Sequence, residues 1–349
     1  MLGPDRRVHG GISGVVNNYY EGGLDKRIRL RYIGTMVEGN RAGKLLQAVK
    51  AYMQFLAVLG GYEIVHVNMA SDSSYFRKSV FIRTARFFGK KIVIHQHGGD
   101  FAHFYHEELS ERGRAGVRRV LGMADAFLVL APAWKEFFGG LVGEERITVL
   151  PNAIPVFPAV QKSYGQHKLL FLGRLCREKG ICELLSCIPA LREKYPDLKL
   201  YLGGIWEDAS LQREADRYPE QVVQTGWISG EEKRKYLEEC DIFVLPTYFE
   251  GQPVAVLEAM AASCAVVASD TGGIPMMITD GENGILTEPK NQRALLDALD
   301  GVLSDAGLCR RLGEKARKRA EQDYSLEENM NRLLRIYESV AHKKRSGQE

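Results

Sequence analysis

Long apolar runs are missing from this 349-residue chain, and none approaches the roughly 20 residues that a bilayer-spanning helix needs. The opening residues, MLGPDRRVHGG, hold no apolar stretch of the kind that directs export. Cysteine is scarce: all six (176, 182, 187, 240, 264, 309) fall in the second half, with no C-x-x-C pair. Without an export signal, that distribution argues against a disulfide framework or a zinc ribbon and reads as reduced thiols in a cytoplasmic protein. No D-x-D metal motif occurs in either half. Net charge is only +3 and no nucleic-acid module is recognisable, so nucleic acid is not an expected partner.

What is present is an ordinary globular composition, 45% hydrophobic and 26% charged, over a length that suggests two domains of about 150–180 residues. The charge is unevenly spread. Residues 1–150 hold 21 Lys/Arg against 14 Asp/Glu, and the remainder 26 against 30. A basic first half points to a partner that carries negative charge, such as anionic lipid or a phosphorylated acceptor.

In the second half short apolar runs alternate with helical patterns. KLLFLG (168–173), LKLYLGG (198–204), VVQTGWI (222–228), IFVLPTY (242–248) and AVVASD (265–270) read as strands, with helices over about 181–194, 230–239 and 253–262. That rhythm predicts βαβ crossovers and a parallel, doubly wound sheet covered on both faces. The first half repeats it with IRLRYIG (28–34), EIVHVN (63–68), KIVIHQH (91–97) and AFLVLA (126–131), and helices near 44–59, 73–88 and 108–121. ITVLPNAIPVFPAV (147–160) carries three prolines and reads as the domain boundary. Two α/β domains on a short linker leave a cleft, and such sheets bind ligands outside the carboxyl ends of their strands.

Three features share that edge of the second sheet. In YFEGQPVAVLEAM, Glu250 falls in the loop after a strand, Pro253 suits a first helical turn, and Glu258 lies further along the helix. The loop from Gly251 through Gln252 and Pro253 to Val254 frames a helix N-terminus whose free N–H groups, Pro253 having none, favour an anion or hydroxyls. Alone, the two glutamates read equally well as solvated acids on a helix. FLGRLCREKG (171–180) adds Arg174 and Lys179 just past another strand, as a diphosphate clamp would need. SDTGGIPMMI (269–278) adds a Gly-Gly turn suited to close backbone approach to a ligand.

Together, GRLCREKG, EGQPVAVLEAMA, VVASDTGGIP and DGENGIL resemble the nucleotide-sugar-binding domain of the retaining family-4 glycosyltransferases of the GT-B fold. The resemblance implies an α/β chain of two doubly wound, Rossmann-like domains facing each other across a cleft. Its divisions would be an acceptor-binding domain over 1–155, a donor-binding domain over 156–325, and a C-terminal helix over 326–349 crossing back to the first domain, with a frayed tail. Arg174 and Lys179 would neutralise the leaving diphosphate, Glu250 would contact the transferred sugar and Glu258 the ribose. The backbone near Trp227 and Ile228 would meet the base. HGGISGVV (9–16) resembles the family's glycine loop, which would bring Gly10 and Gly11 to phosphate or acceptor. HQHGGDF (95–101) resembles the segment whose histidine lies beside the reacting sugar, and His97 fits that place better than His95. Asn152 would sit at the hinge.

The activity so implied is metal-independent, retaining transfer of a hexose-type sugar from a UDP- or GDP-linked donor, with no cofactor. The acceptor would be a glycan or a polyprenyl-diphosphate-linked sugar, in the synthesis of bacterial exopolysaccharide or another cell-surface glycan. The expected location is cytoplasmic, with peripheral contact at the inner face of the cell membrane. Segment 74–91, with Arg77, Lys78, Arg83, Arg86, Lys90 and Lys91 among aromatics, reads equally as a solvated helix or a membrane contact. Two features depart from the family. Little more than Met1 and Leu2 precedes the glycine loop where an apolar strand is usual, so a truncated first strand is one expectation. Met276 stands where an acid is common. The rival readings are a GT-B nucleotide-sugar epimerase, which needs paired acid/base groups and no acceptor, and a non-catalytic nucleotide-sugar-binding partner, which has no need of Glu250, Arg174 or Lys179.

Overall fold

The computed structural model describes residues 1–98, 101–156, 158 and 162–342. Gly99 and Asp100 of the histidine segment, part of the proline-rich stretch and the tail from 343 lie outside the described residues. The chain forms two compact units, Met1–Pro155 with Leu326–Glu349, and Val156–Ser325.

In the first unit six strands, β1 (Leu2–Gly3), β2 (Ile33–Gly34), β3 (Ile64–Met69), β4 (Lys91–Gln96), β5 (Ala126–Val129) and β6 (Ile147–Val149), are ordered β2-β1-β3-β4-β5-β6. Every pairing is parallel. Consecutive residues of β3, β4 and β5 are buried, as they must be in strands covered on both faces. The run expected as a strand over 28–34 pairs only at its end. β1 offers two residues, Leu2 opposite Ile33 and Gly3 opposite Gly34, and the ladder stops where its partner stops. The proline-rich stretch starts later than its composition suggests, because Ile147–Val149 pairs with β5 as the edge strand. The helix Leu326–His342 packs within this unit: Tyr19 donates to Asn329 Oδ1 (3.0 Å) and Leu326 N–H donates to Ile154 O (3.0 Å).

In the second unit β7 (Lys168–Leu172), β8 (Lys199–Gly203), β9 (Val222–Gly226), β10 (Ile242–Leu245), β11 (Ala265–Ser269) and β12 (Ile285–Thr287) are ordered β12-β11-β10-β7-β8-β9. All are parallel. From β7 the chain steps outward one way through β8 and β9, then crosses to β10 and steps the other way. The reversal between β7 and β10 opens a crevice at their carboxyl ends, where doubly wound sheets hold ligands.

Candidate functional site

The loops leaving β7, β10 and β11 meet at that reversal. After β7 come Gly173 and Arg174, a short 3-10 turn Arg177–Lys179, and Gly180 before the helix Ile181–Lys194. After β10, residues 246–253 lead to the helix Val254–Ala261. Pro253 holds the N-cap position rather than the first turn and no side chain caps that helix; Val256 and Leu257 N–H donate to Pro253 O (3.2 and 3.4 Å), which leaves the amides of Val254 and Ala255 for another partner. Tyr248 N–H donates to Glu178 O (2.9 Å), tying the β10 loop to the β7 loop. Gly273 N–H donates to Glu250 O (3.1 Å), tying it to the β11 loop.

The glycines of these loops are required by their neighbours. A Cβ on Gly180 (φ 73°) would stand 1.9 Å from Pro246 O, and on Gly272 (φ 57°) 1.8 Å from Glu250 O. One on Gly273 would stand 1.8 Å from Gly251 O. To the expected close approach to a ligand this adds a requirement within the protein, since Gly272 and Gly273 lie against the backbone of Glu250 and Gly251. Their effect is to hold Glu250 in place.

Each expected acid and cation of the corner has an ionic partner. Lys179 Nζ binds Glu250 Oε1, both side chains being largely buried. Lys233 Nζ binds Glu258 Oε1 at 2.5 Å, and Arg174 binds Glu207 Oε2 at 2.8 Å in a half-exposed pair. Lys179 and Glu250 are thus brought together, whereas Arg174 turns to Glu207. Gly251, Gln252 and Pro253 are buried and Val254 is half-buried. The Ile228 side chain is core, packed on Gly203, so only its backbone is suited to meet a ligand.

Lys233 escaped the sequence reading because GEEKRKYLEE looks like a solvated helix. A signal was nonetheless there. Arg234 and Lys235 have glutamates four residues on and pair with them, whereas Lys233 has no acid three or four residues away on its helix. It reaches instead to Glu258.

The other expected residues lie in the first unit. Gly10 is extended and Gly11 opens the helix Gly11–Glu21; both are exposed, with open space where a Cβ would go. His97 follows β4, its N–H donating to Met69 O (2.8 Å). Its Nε2 is 2.9 Å from Asn68 Oδ1. Because Asn68 Nδ2 donates to Leu2 O (3.1 Å), Oδ1 is the acceptor and His97 carries its proton on Nε2. Burial, with His95, His66 and Lys78 nearby, pushes its pKa well below the usual histidine value, so the ring is neutral. His95 packs against it, 4.1 Å between centroids with the rings tilted by 37°, and is pushed down to about 4 by burial. Lys78, grouped in sequence with the surface cations of 74–91, is instead buried; its Nζ donates to Ser74 Oγ (2.8 Å) and burial lowers it to about 7.

Two doubly wound units of parallel sheet, with charged pairs and a helix N-terminus at the strand reversal of the second, define an α/β protein with a polar, charged corner at the carboxyl ends of its strands. Residues 156–319 match Glycosyl transferases group 1 and residues 17–156 match Glycosyltransferase Family 4. The chain belongs to these family-4 glycosyltransferases, and its fold is GT-B. An uncharacterized glycosyltransferase of Methanocaldococcus jannaschii is 31% identical over 49% of this chain and 45% of its own length. Sucrose-phosphate synthase from Thermosynechococcus elongatus matches in structure with a TM-score of 0.76 at 19% identity, over 97% of this chain and 98% of that one. Anabaena HepE, solved in complex with UDP and glucose, gives 0.74 at 16% identity over 97% and 98%. The chain spans about half the length of the curated relatives it matches.

Proposed function

We propose that this protein transfers a hexose-type sugar, with retention of anomeric configuration, from a nucleotide-diphosphate sugar to a glycan or lipid-linked acceptor in cell-surface polysaccharide synthesis. The observation that carries the reading is the Lys179–Glu250 pair beside the uncapped N-terminus of the helix Val254–Ala261. An incoming diphosphate offers Lys179 a stronger anionic partner, and Arg174 adds a second cation. Released from Lys179, Glu250 accepts hydrogen bonds from the sugar hydroxyls. Glu258, oriented by Lys233, does the same for the ribose.

As the bond from the sugar's anomeric carbon to the phosphate oxygen breaks, negative charge collects on the diphosphate. The cations and helix amides stabilise it. The acceptor oxygen bonds to the same carbon on the same face, and its proton passes to the departing phosphate. In this scheme Arg174 and Lys179 supply the compensation that a divalent ion gives elsewhere, so EDTA leaves turnover unchanged. His97, neutral and held by Asn68, presents a fixed imidazole rather than an acid. UDP is the favoured nucleotide because HepE was solved with it, with GDP the other candidate.

The test is thermal unfolding with UDP, GDP, ADP and CDP in turn, repeated with Lys179→Ala and Glu258→Ala. A ligand at about 100 times its dissociation constant adds roughly 2.7 kcal/mol. Stabilisation by one nucleotide, lost in both variants, is expected. A cooperative transition that no nucleotide moves sinks the donor site.

A further inference from the structure

Twelve large hydrophobic side chains are exposed among the described residues, and nine of them belong to one region of the first unit. Two helices make it, Arg41–Leu59 and Asp72–Phe87, the second running on into Phe88. They pack side by side: Phe55 and Tyr52 meet Phe81 edge-on, at 5.2 and 5.5 Å between centroids, and Tyr52 donates to Thr84 Oγ1 (2.9 Å).

With that seam buried, each helix turns a second apolar stripe outward. On the first it is Leu45, Val49, Met53 and Leu56, spaced i, i+4, i+8, i+11. On the second it is Phe76, Val80 and Phe87, with Arg83 at i+7 on the same face. Phe87 is 85% exposed. Isolated apolar residues on a surface need no explanation, but two aligned stripes do.

The charges around the stripes are of one sign. Residues 41–59 contain Arg41, Lys44 and Lys50 and no acid, and residues 72–91 contain six Lys/Arg against Asp72 alone. Lys78 points inward, and Arg86 and Lys91 lie 3.8 and 3.7 Å from Asp125, so the outward charge comes from Arg41, Lys44, Lys50, Arg83 and their neighbours. A second copy of the chain is a poor occupant, since it would set one cationic face against another. An anionic lipid surface matches both features, with apolar side chains entering the acyl boundary and cations meeting headgroups. No helix of the described residues is long and apolar enough to cross a membrane, so contact of this kind lies along the bilayer surface.

We propose that the paired helices Arg41–Leu59 and Asp72–Phe87 form a docking face for an anionic bilayer. Flotation of the full chain tests it, using vesicles of phosphatidylcholine alone and with about one third phosphatidylglycerol. The chain floats with the anionic vesicles and not the neutral ones. Reversing two cations, Lys44→Glu with Lys50→Glu, weakens partitioning by at least about 30-fold. Removing two rings, Phe87→Ser with Phe88→Ser, weakens it by about 10- to 100-fold. All four positions are exposed, so both variants keep the parent's unfolding midpoint.

Absence of flotation overturns the proposal, as does flotation that neither variant weakens. A wild-type dimer that Phe87→Ser with Phe88→Ser dissolves, with no vesicle binding, also overturns it and makes the face a protein interface. The measurement reads binding alone and is independent of the donor-site reading.

Discussion

Replacing Gly272 by alanine tests whether the corner around Glu250 is as tightly packed as described. Two costs combine at that position. The backbone sits at φ 57°, where a side chain costs about 1–2 kcal/mol, partly offset by about 0.4–1 kcal/mol from a stiffer unfolded chain. The new methyl would also stand 1.8 Å from Glu250 O, against ordinary contact of about 3.5 Å. Relieving that overlap moves backbone against backbone, about 1–3 kcal/mol, and breaks the bond from Gly273 N–H to Glu250 O, about 1 kcal/mol more. The sum is roughly 3–4 kcal/mol. Gly281 is the control, because its φ is 69° and nothing lies within 4 Å of where its Cβ would go. Gly281→Ala carries only the backbone cost net of that offset, at most about 1.6 kcal/mol. Urea unfolding followed by tryptophan fluorescence reports mainly on the second unit, which holds Trp206 and Trp227 of the three tryptophans. With a slope of about 2 kcal/mol/M, Gly272→Ala lowers the midpoint by about 1.5–2 M and Gly281→Ala by no more than about 0.8 M. Equal shifts for the two variants would refute the packing of the corner.

Three further outcomes are expected. In UDP-dependent thermal shifts Lys233→Ala loses about what Glu258→Ala loses, and the double variant loses no more; additive losses would separate the two residues. Gly14→Ala, within the helix Gly11–Glu21 and with open space around its Cβ, raises stability by about 0.5–1 kcal/mol in urea titration, and a decrease would mean that space is occupied. Stability falls with acid because His66, His95 and His97 are buried neutral, so the unfolded chain takes up the proton first as pH drops below 6.5. For His95 the loss continues down to about pH 4 at up to about 1.4 kcal/mol per unit; the unfolding midpoint against pH reads it, and a flat profile through that window contradicts the burial.

The parallel, doubly wound character was legible because buried central strands such as β7 and β10 are unbroken apolar runs between helical patterns. Strands of two or three residues were not. Ile285–Thr287 is too short to show a period, and Ile147–Val149 was hidden by the prolines after it. Ionic partners were beyond reach for a different reason. Lys179 and Glu250 are 71 positions apart and meet only because β7 and β10 are neighbours at the strand reversal, a fact of topology rather than spacing. The docking helices show a third limit. Arg41–Leu59 is apolar on several sides, so periodicity alone does not tell that Ala51, Phe55 and Leu59 face inward while Leu45, Val49 and Met53 face out.

The first unit is built from both ends of the sequence, with residues 156–325 of the second unit inserted between its parts. This has a consequence during synthesis. His66 is 2.5 Å from the Tyr337 hydroxyl and Tyr19 bonds to Asn329, so the first unit leaves the ribosome with pockets for a helix not yet made. At about 5–20 residues per second, the intervening 170 positions take roughly 10–30 s to translate. The second unit is continuous, so it can complete its fold first although it is made later. A released chain that ends at residue 325 should therefore show a protease-resistant second unit beside a first unit still open to cleavage.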